Sequence, residues 1–128
     1  MADRLPQNIE AENAVLGLMI LSRTCLAKGM ADLSNEHFHR KDNGLIFNGM
    51  HALFEKGKDV SIVSLTEQLK STNTLSAVGG GLRLAELAES SISDTEFETY
   101  TAILEDKKVK RNLIRVANEI QTKGYDDV

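Results

Sequence analysis

A single cysteine, Cys25, rules out an intrachain disulfide and suits a reducing compartment, so a cytoplasmic location is expected. Tryptophan is absent and aromatic residues make up 5% of the chain, which leaves Leu, Ile, Val and Ala to build the core. Positive charge is also short, with a formal net charge of −4. A domain whose main task is gripping nucleic acid needs a concentrated positive surface, so little direct nucleic-acid binding is expected. No hydrophobic run is long. Ala14–Leu21 would span about 12 Å as a helix, against about 30 Å for a bilayer core. It also follows Glu10 and Glu12, where an export signal would be basic. No membrane partner is therefore expected. What is present is a globular balance, 41% hydrophobic and 27% charged residues, in a chain long enough for one domain with a real core.

Helical signals follow one another along the chain. Asn8 is placed to cap a first helix, with Glu10 and Glu12 in its opening turns, where the helix dipole favours negative charge. From Val15 to Leu21 that helix is apolar all round, which predicts burial on every side among helices carrying Met30, Met50, Leu69 and Leu87. Gly17 within it suggests a close helix crossing. Thr24 is expected to cap a second helix containing Leu26, Met30 and Leu33. The polar stretch NEHFHRKDNG follows, with Phe38 as its anchor. Ile46, Met50, Leu53 and Phe54 then fall at helical spacing, and Gly57 supplies the stop. Residues 60–69 carry some strand-like alternation, yet Ser61 is a good cap and Ile62, Leu65 and Leu69 form a helical stripe, so a helix is predicted. Gly79, Gly80 and Gly81 open a further helix with Leu84, Leu87 and Ala88 on one face.

The last element is the most informative. From Asp94 to Lys123 there is neither proline nor glycine, which predicts one helix of about 30 residues. Its apolar face changes side. At 100° per residue Phe97, Tyr100 and Leu104 cluster together, whereas Val109, Leu113, Val116, Ala117 and Ile120 cluster on nearly the opposite side. A helix that switches faces should pack against two different things, and the expectation is that Val109, Leu113, Ile114, Val116, Ala117 and Ile120 meet another subunit, a partner or a missing downstream helix. The competing expectation is a bent helix that buries both stripes itself. The overall prediction is all-α: a compact bundle of about five to six short helices in a head over residues 1–92, one long helix over 93–124 for subunit pairing, and a short tail over 125–128.

No pattern of residues suited to catalysis or ligand binding stands out. The segment 52–59 superficially resembles a phosphate-binding loop at Gly57-Lys58, but Ala52 and Asp59 stand where glycine and a hydroxyl are needed. Glu36, His37 and His39 have metal-like spacing without the second motif or further carboxylates that a bundle metal site requires, so the histidines are expected on the surface. Cys25 reads as a packed small hydrophobe. Serines abound without a nucleophile pattern or base partner. The basic run Lys107, Lys108, Lys110, Arg111, Arg115 spreads around the helix with no interleaved aromatics, the pattern of a solvated linker face. No catalytic, metal-binding or cofactor-binding residue is assigned, and no enzyme activity is expected of this chain.

Several stretches, taken in order, resemble the N-terminal domain of DnaB-type replicative DNA helicases. They are Pro6-x-Asn8-Ile9-Glu10-Ala11-Glu12, Val15-Leu16-Gly17, Ile46-Phe47, Glu55-Lys56-Gly57 with Val60, Val63 and Leu65, Val78-Gly79-Gly80 before Leu84-x-x-Leu87, and finally Tyr100, Ile103 and Leu113-Ile114-Arg115. The resemblance implies an all-helical domain preceding a linker helix and a RecA-like motor. The motor domains form a hexameric ring, and the N-terminal domains form a collar on it as a trimer of dimers. Pairing would use a helical hairpin whose first arm is the long helix. The collar would also receive primase or a helicase loader. Ile114 and Ile120 match positions where such collars meet primase or a neighbour. Arg83 stands where an aromatic contact residue can occur, Asn112 replaces a usually basic residue, and the triple glycine is one longer than the pattern. ATP and Mg would belong to a motor domain absent here, so the chain is expected to be a piece of a longer helicase that hexamerises. The alternatives are a stand-alone helical module, phage- or plasmid-encoded, that recruits or inhibits a helicase, and a small DNA-binding helical domain.

Overall fold

The computed structural model describes residues 5–90 and 93–126. Among them are six α-helices: α1 Ile9–Leu21, α2 Arg23–Asp32, α3 Lys41–Glu55, α4 Ile62–Ser71, α5 Gly80–Glu89 and α6 Phe97–Tyr125. Short 3-10 turns at Asn35–His37, Ser76–Val78 and Asp94–Glu96 join them, and no strand occurs among the described residues. The expected end of the head at residue 92, and the last two residues of the tail, lie outside the described residues.

α1 is the central rod. Asn8 is extended and its side chain accepts from the Ala11 amide at 2.9 Å, satisfying one of the free donors at the helix start. Val15, Leu16, Leu18 and Met19 are buried, as an all-round apolar segment requires. Leu21 is the exception, exposed where the chain turns. That turn corrects the expected cap of α2. Thr24 lies inside the helix, and Ser22 is the cap, its hydroxyl accepting from the Cys25 amide at 3.2 Å. Ser22 also donates its own amide to Leu18, so one residue ends α1 and begins α2. Cys25 packs in the core.

α3 and α4 cross closely. A Cβ on Gly49 would lie 3.0 Å from methyl carbons of both Leu65 and Leu69, so glycine sets that approach. Gly57, at φ +70, ends the turn after α3. Residues 62–71 are helical as predicted, with Ser61 and Ser64 forming a reciprocal cap. Gly79 and Gly80 both take positive φ and lead into α5, which buries Leu84, Leu87 and Ala88. Phe38 is buried against Phe47, with ring centroids 5.2 Å apart.

The 29 residues of α6 extend about 44 Å. Phe97 and Leu104 are buried, and Tyr100 and Ile103 are partly so. The helix starts three residues later than expected, because Asp94–Glu96 form a 3-10 turn, and it runs through Gly124 to Tyr125. The distal half is not folded back over the head.

Candidate interaction surface

The distal half of α6 presents its apolar side chains to solvent. Leu113 is 63% exposed, Ile120 66%, Val109 44% and Val116 42%. Ala117, also exposed, lies beside them. Residues 109, 113, 116 and 120 lie along one side of a helix, so these four form a continuous strip, and the bent-helix expectation fails.

Ile114 lies elsewhere. One residue beyond Leu113, it is turned about 100° from that side chain and about 130° from the middle of the strip. With Leu5, Arg111, Asn118 and Thr122 it lines an open groove of about 760 Å³ on the far side. Ile114 and Ile120 therefore do not share a face, although the family resemblance places both at contacts. Arg83 is in the head, on α5. Its guanidinium donates to Asp42 at 3.0 Å, Asn43 at 2.8 Å and Asn13 at 3.1 Å, so the donors of its fork are occupied within the protomer.

Those bonds belong to a polar cluster that sequence reasoning missed. Glu12, expected only to favour the helix dipole, is wholly buried. Its carboxylate accepts from the His39 amide at 2.8 Å, the Arg40 amide at 3.4 Å and Asn43 Nδ2 at 3.0 Å. A buried carboxylate is tolerated only when bonded in this way. The signal was legible, since Glu12 falls in helical register with Leu16 and Met19 on the core side.

The base of the shaft holds two further corrections. His37, expected on the surface, is buried. Its Nδ1 accepts from the Ser34 amide at 3.0 Å, so Nε2 carries the proton and donates to Glu105 Oε1 at 2.7 Å. That bond holds the Glu105 carboxyl below its usual range, and Lys108 lowers it further. Arg111, expected on a solvated face, donates to the carbonyls of Pro6 and Glu36 at 2.8 Å each. Burial lowers its pKa, opposed by the charge of Glu12. The rest of the basic run is largely paired along the helix: Lys110 with Asp106, Lys108 with Glu105 and Arg115 with Glu119. Among the described residues no three metal-ligating side chains converge, and no helix is long and apolar enough to cross a membrane. What the surface offers is apolar area with a charged rim, which is the chemistry of association.

Comparison with known proteins gives a consistent answer. Residues 4–106 match the family model of the DnaB-like helicase N terminal domain. The chain is 40% identical over 124 residues to the replicative DNA helicase DnaC of Bacillus subtilis (strain 168), and 38% identical over 120 residues to the replicative DNA helicase DnaB of Geobacillus stearothermophilus. These alignments take in 96% and 94% of the chain but 27% and 26% of the relatives, so the chain spans about a quarter of their length. The fold matches the crystal structure of the N-terminal domain of DnaB helicase from Mycobacterium tuberculosis, with a TM-score of 0.90 at 24% identity over 95% of this chain and 88% of that one. It also matches part of a structure of a DnaB-like replicative helicase and its interactions with primase, with a TM-score of 0.82 at 28% identity over 94% of this chain and 28% of that one. An all-helical fold, a family model matched over most of the residues and relatives aligned along nearly the whole length lead to one conclusion: the chain belongs to the DnaB-like helicase N terminal domain family.

Proposed function

We propose that this chain is the collar domain of an ATP-dependent replicative DNA helicase, assembling its subunits and giving primase or a loader a place to dock. The observation that carries this reading is the uncovered strip of Val109, Leu113, Val116 and Ile120 on a domain of this family. Covering a large aliphatic side chain contributes about 1.5–3 kcal/mol, so a few of them suffice for a specific helix contact. In this reading α6 is the first arm of a pairing hairpin, the strip meets a second copy, and dimers assemble three to a hexamer. Ile120 then serves the subunit contact, while Ile114, in the groove on the other side, serves a different partner such as primase. Arg83 contributes indirectly, by holding α5 against α1 and α3. ATP and Mg belong to a motor outside these residues, and the setting is cytoplasmic.

The DNA-binding alternative is disfavoured by the ion pairs that occupy most of the basic run. Solution mass measured across concentrations tests the main reading. The parent should grow heavier with concentration, and Val116→Asp with Ile120→Asp should hold it at one protomer. A parent that stays monomeric at high concentration rules out pairing through the strip by this chain alone. Titration with single-stranded DNA at low salt should show little binding, whereas tight, salt-dependent binding would restore the alternative.

A further inference from the structure

Between the last core contact of α6 and its uncovered distal half, polar bonds do the fastening. Leu104 is 1% exposed, whereas each large apolar residue from Val109 to Tyr125 is at least 38% exposed. Around that boundary Glu105 meets His37, and Arg111 meets the carbonyls of Pro6 and Glu36. The guanidinium joins two segments that have no regular helix of their own to fix them: the stretch leading into α1 and the 3-10 turn Asn35–His37. It does so through backbone oxygens, which need two donors in a fixed fork; a lysine ammonium has no such planar fork.

We propose that Arg111 is a latch that sets the direction in which the distal half of α6 leaves the head, and that its release lets the shaft swing while the head stays folded. Three features support this. Among the described residues, Arg111 is the last of α6 to make a side-chain hydrogen bond into the head, and the side-chain bonds of Arg115 and Thr122 run within α6 itself. Burial of the guanidinium disfavours its charge, and the negative charge of the head's buried carboxylate, Glu12, partly offsets that cost. The lever is long: from Arg111 to Tyr125 the helix rises about 21 Å, so a swing of about 10° at the base displaces the far end by about 4 Å. That is enough to spoil the register of a side-chain strip against any partner helix. Arg111 is thus a positioning residue for the strip, whichever partner covers it, and the inference stands apart from the collar reading.

Distances between paired spin labels test it. One pair spans head and shaft, at Ala77 and Gln121, and a control pair lies within the head, at Ala27 and Ala77; all three sites are exposed. Cys25→Ala removes the native thiol, and Val116→Asp with Ile120→Asp keeps a second copy from steadying the shaft. The parent should give one narrow 77–121 distance. Arg111→Met, which keeps most of the aliphatic stem, should spread that distance by about 4 Å or more, the displacement expected of the lever. Arg111→Lys should fall between, and the 27–77 distance should stay narrow in all. A 77–121 distance as narrow in Arg111→Met as in the parent overturns the latch. So does a 27–77 distance that broadens in both Arg111 variants, because Arg111 would then be part of what folds the head.

Discussion

The two halves of α6 form one continuous helix under opposite conditions. The proximal half lays Phe97 and Leu104 into the core, with Tyr100 and Ile103 partly covered beside them. The distal half carries as much aliphatic surface, in Val109, Leu113, Val116 and Ile120, and leaves it exposed. Hydrophobicity alone does not bury a side chain; a covering element must be present. The distal half persists as helix because Leu113, Ala117, Glu119 and their neighbours are mostly good helix formers, and because ion pairs such as Lys110 with Asp106 and Arg115 with Glu119 support exposed turns. One half is held by tertiary packing, the other by local propensity.

The sharpest way to break this comparison is to truncate matched leucines. Leu104→Ala should destabilise the protomer by about 2–5 kcal/mol, as loss of a buried leucine does. Leu113→Ala should change the stability of the monomer by about 0.5 kcal/mol or less. Denaturant titration at a concentration where the protein is monomeric separates the two, and equal losses would mean that the distal half is packed in solution. The same contrast extends to charge. Glu12→Ala strands two backbone amides and Asn43 and should cost about 3 kcal/mol, whereas Glu119→Ala removes an exposed pair worth about 0.5 kcal/mol. Next in size is association. Ile120→Ala should weaken self-association by about 1–2 kcal/mol, read by sedimentation, while leaving monomer stability unchanged. A change in monomer stability without a change in association would reverse the assignment.

The smallest effect sits at the junction of the halves. The folded Glu105 carboxyl is held below its usual value of 4.5 by the His37 bond, with Lys108 adding to the effect. Its contribution to stability is therefore complete above about pH 4.5 and is lost as the pH falls through the lower folded value. The melting-temperature difference between the parent and Glu105→Gln should shrink steadily below pH 4.5. A difference that stays constant down to pH 3 would show that the pair contributes nothing through charge. Glu105 is about half exposed, so the effect is modest and should diminish with salt.

Much of the fold was legible because helical signals are local. The Asn8 cap, the Ser61 cap, the Gly57 stop and the triple-glycine approach to α5 were all read from neighbouring residues. The second helix shows where local reading fails. Thr24 and Ser22 are both good caps, and the choice between them depends on where α1 stops, which the packing of α1 decides. Of the candidate surface, the strip was visible as a periodicity, but its separation from Ile114 by about a third of a turn carried little meaning until Leu5 was seen to complete a groove beside Ile114.

By itself, the order of residues determined an all-helical chain, a central apolar α1 and a final helix whose greasy side changes halfway. Those properties follow from a repeat of 3.6 residues per turn, and no distant partner alters them. Only the tertiary structure decided the rest: that Glu12 is buried, that His37 faces Glu105, that Arg83 turns inward and that Arg111 reaches the carbonyls of Pro6 and Glu36. Each depends on a donor or acceptor brought from far along the chain, and a polar side chain's pattern in sequence does not say which one arrives.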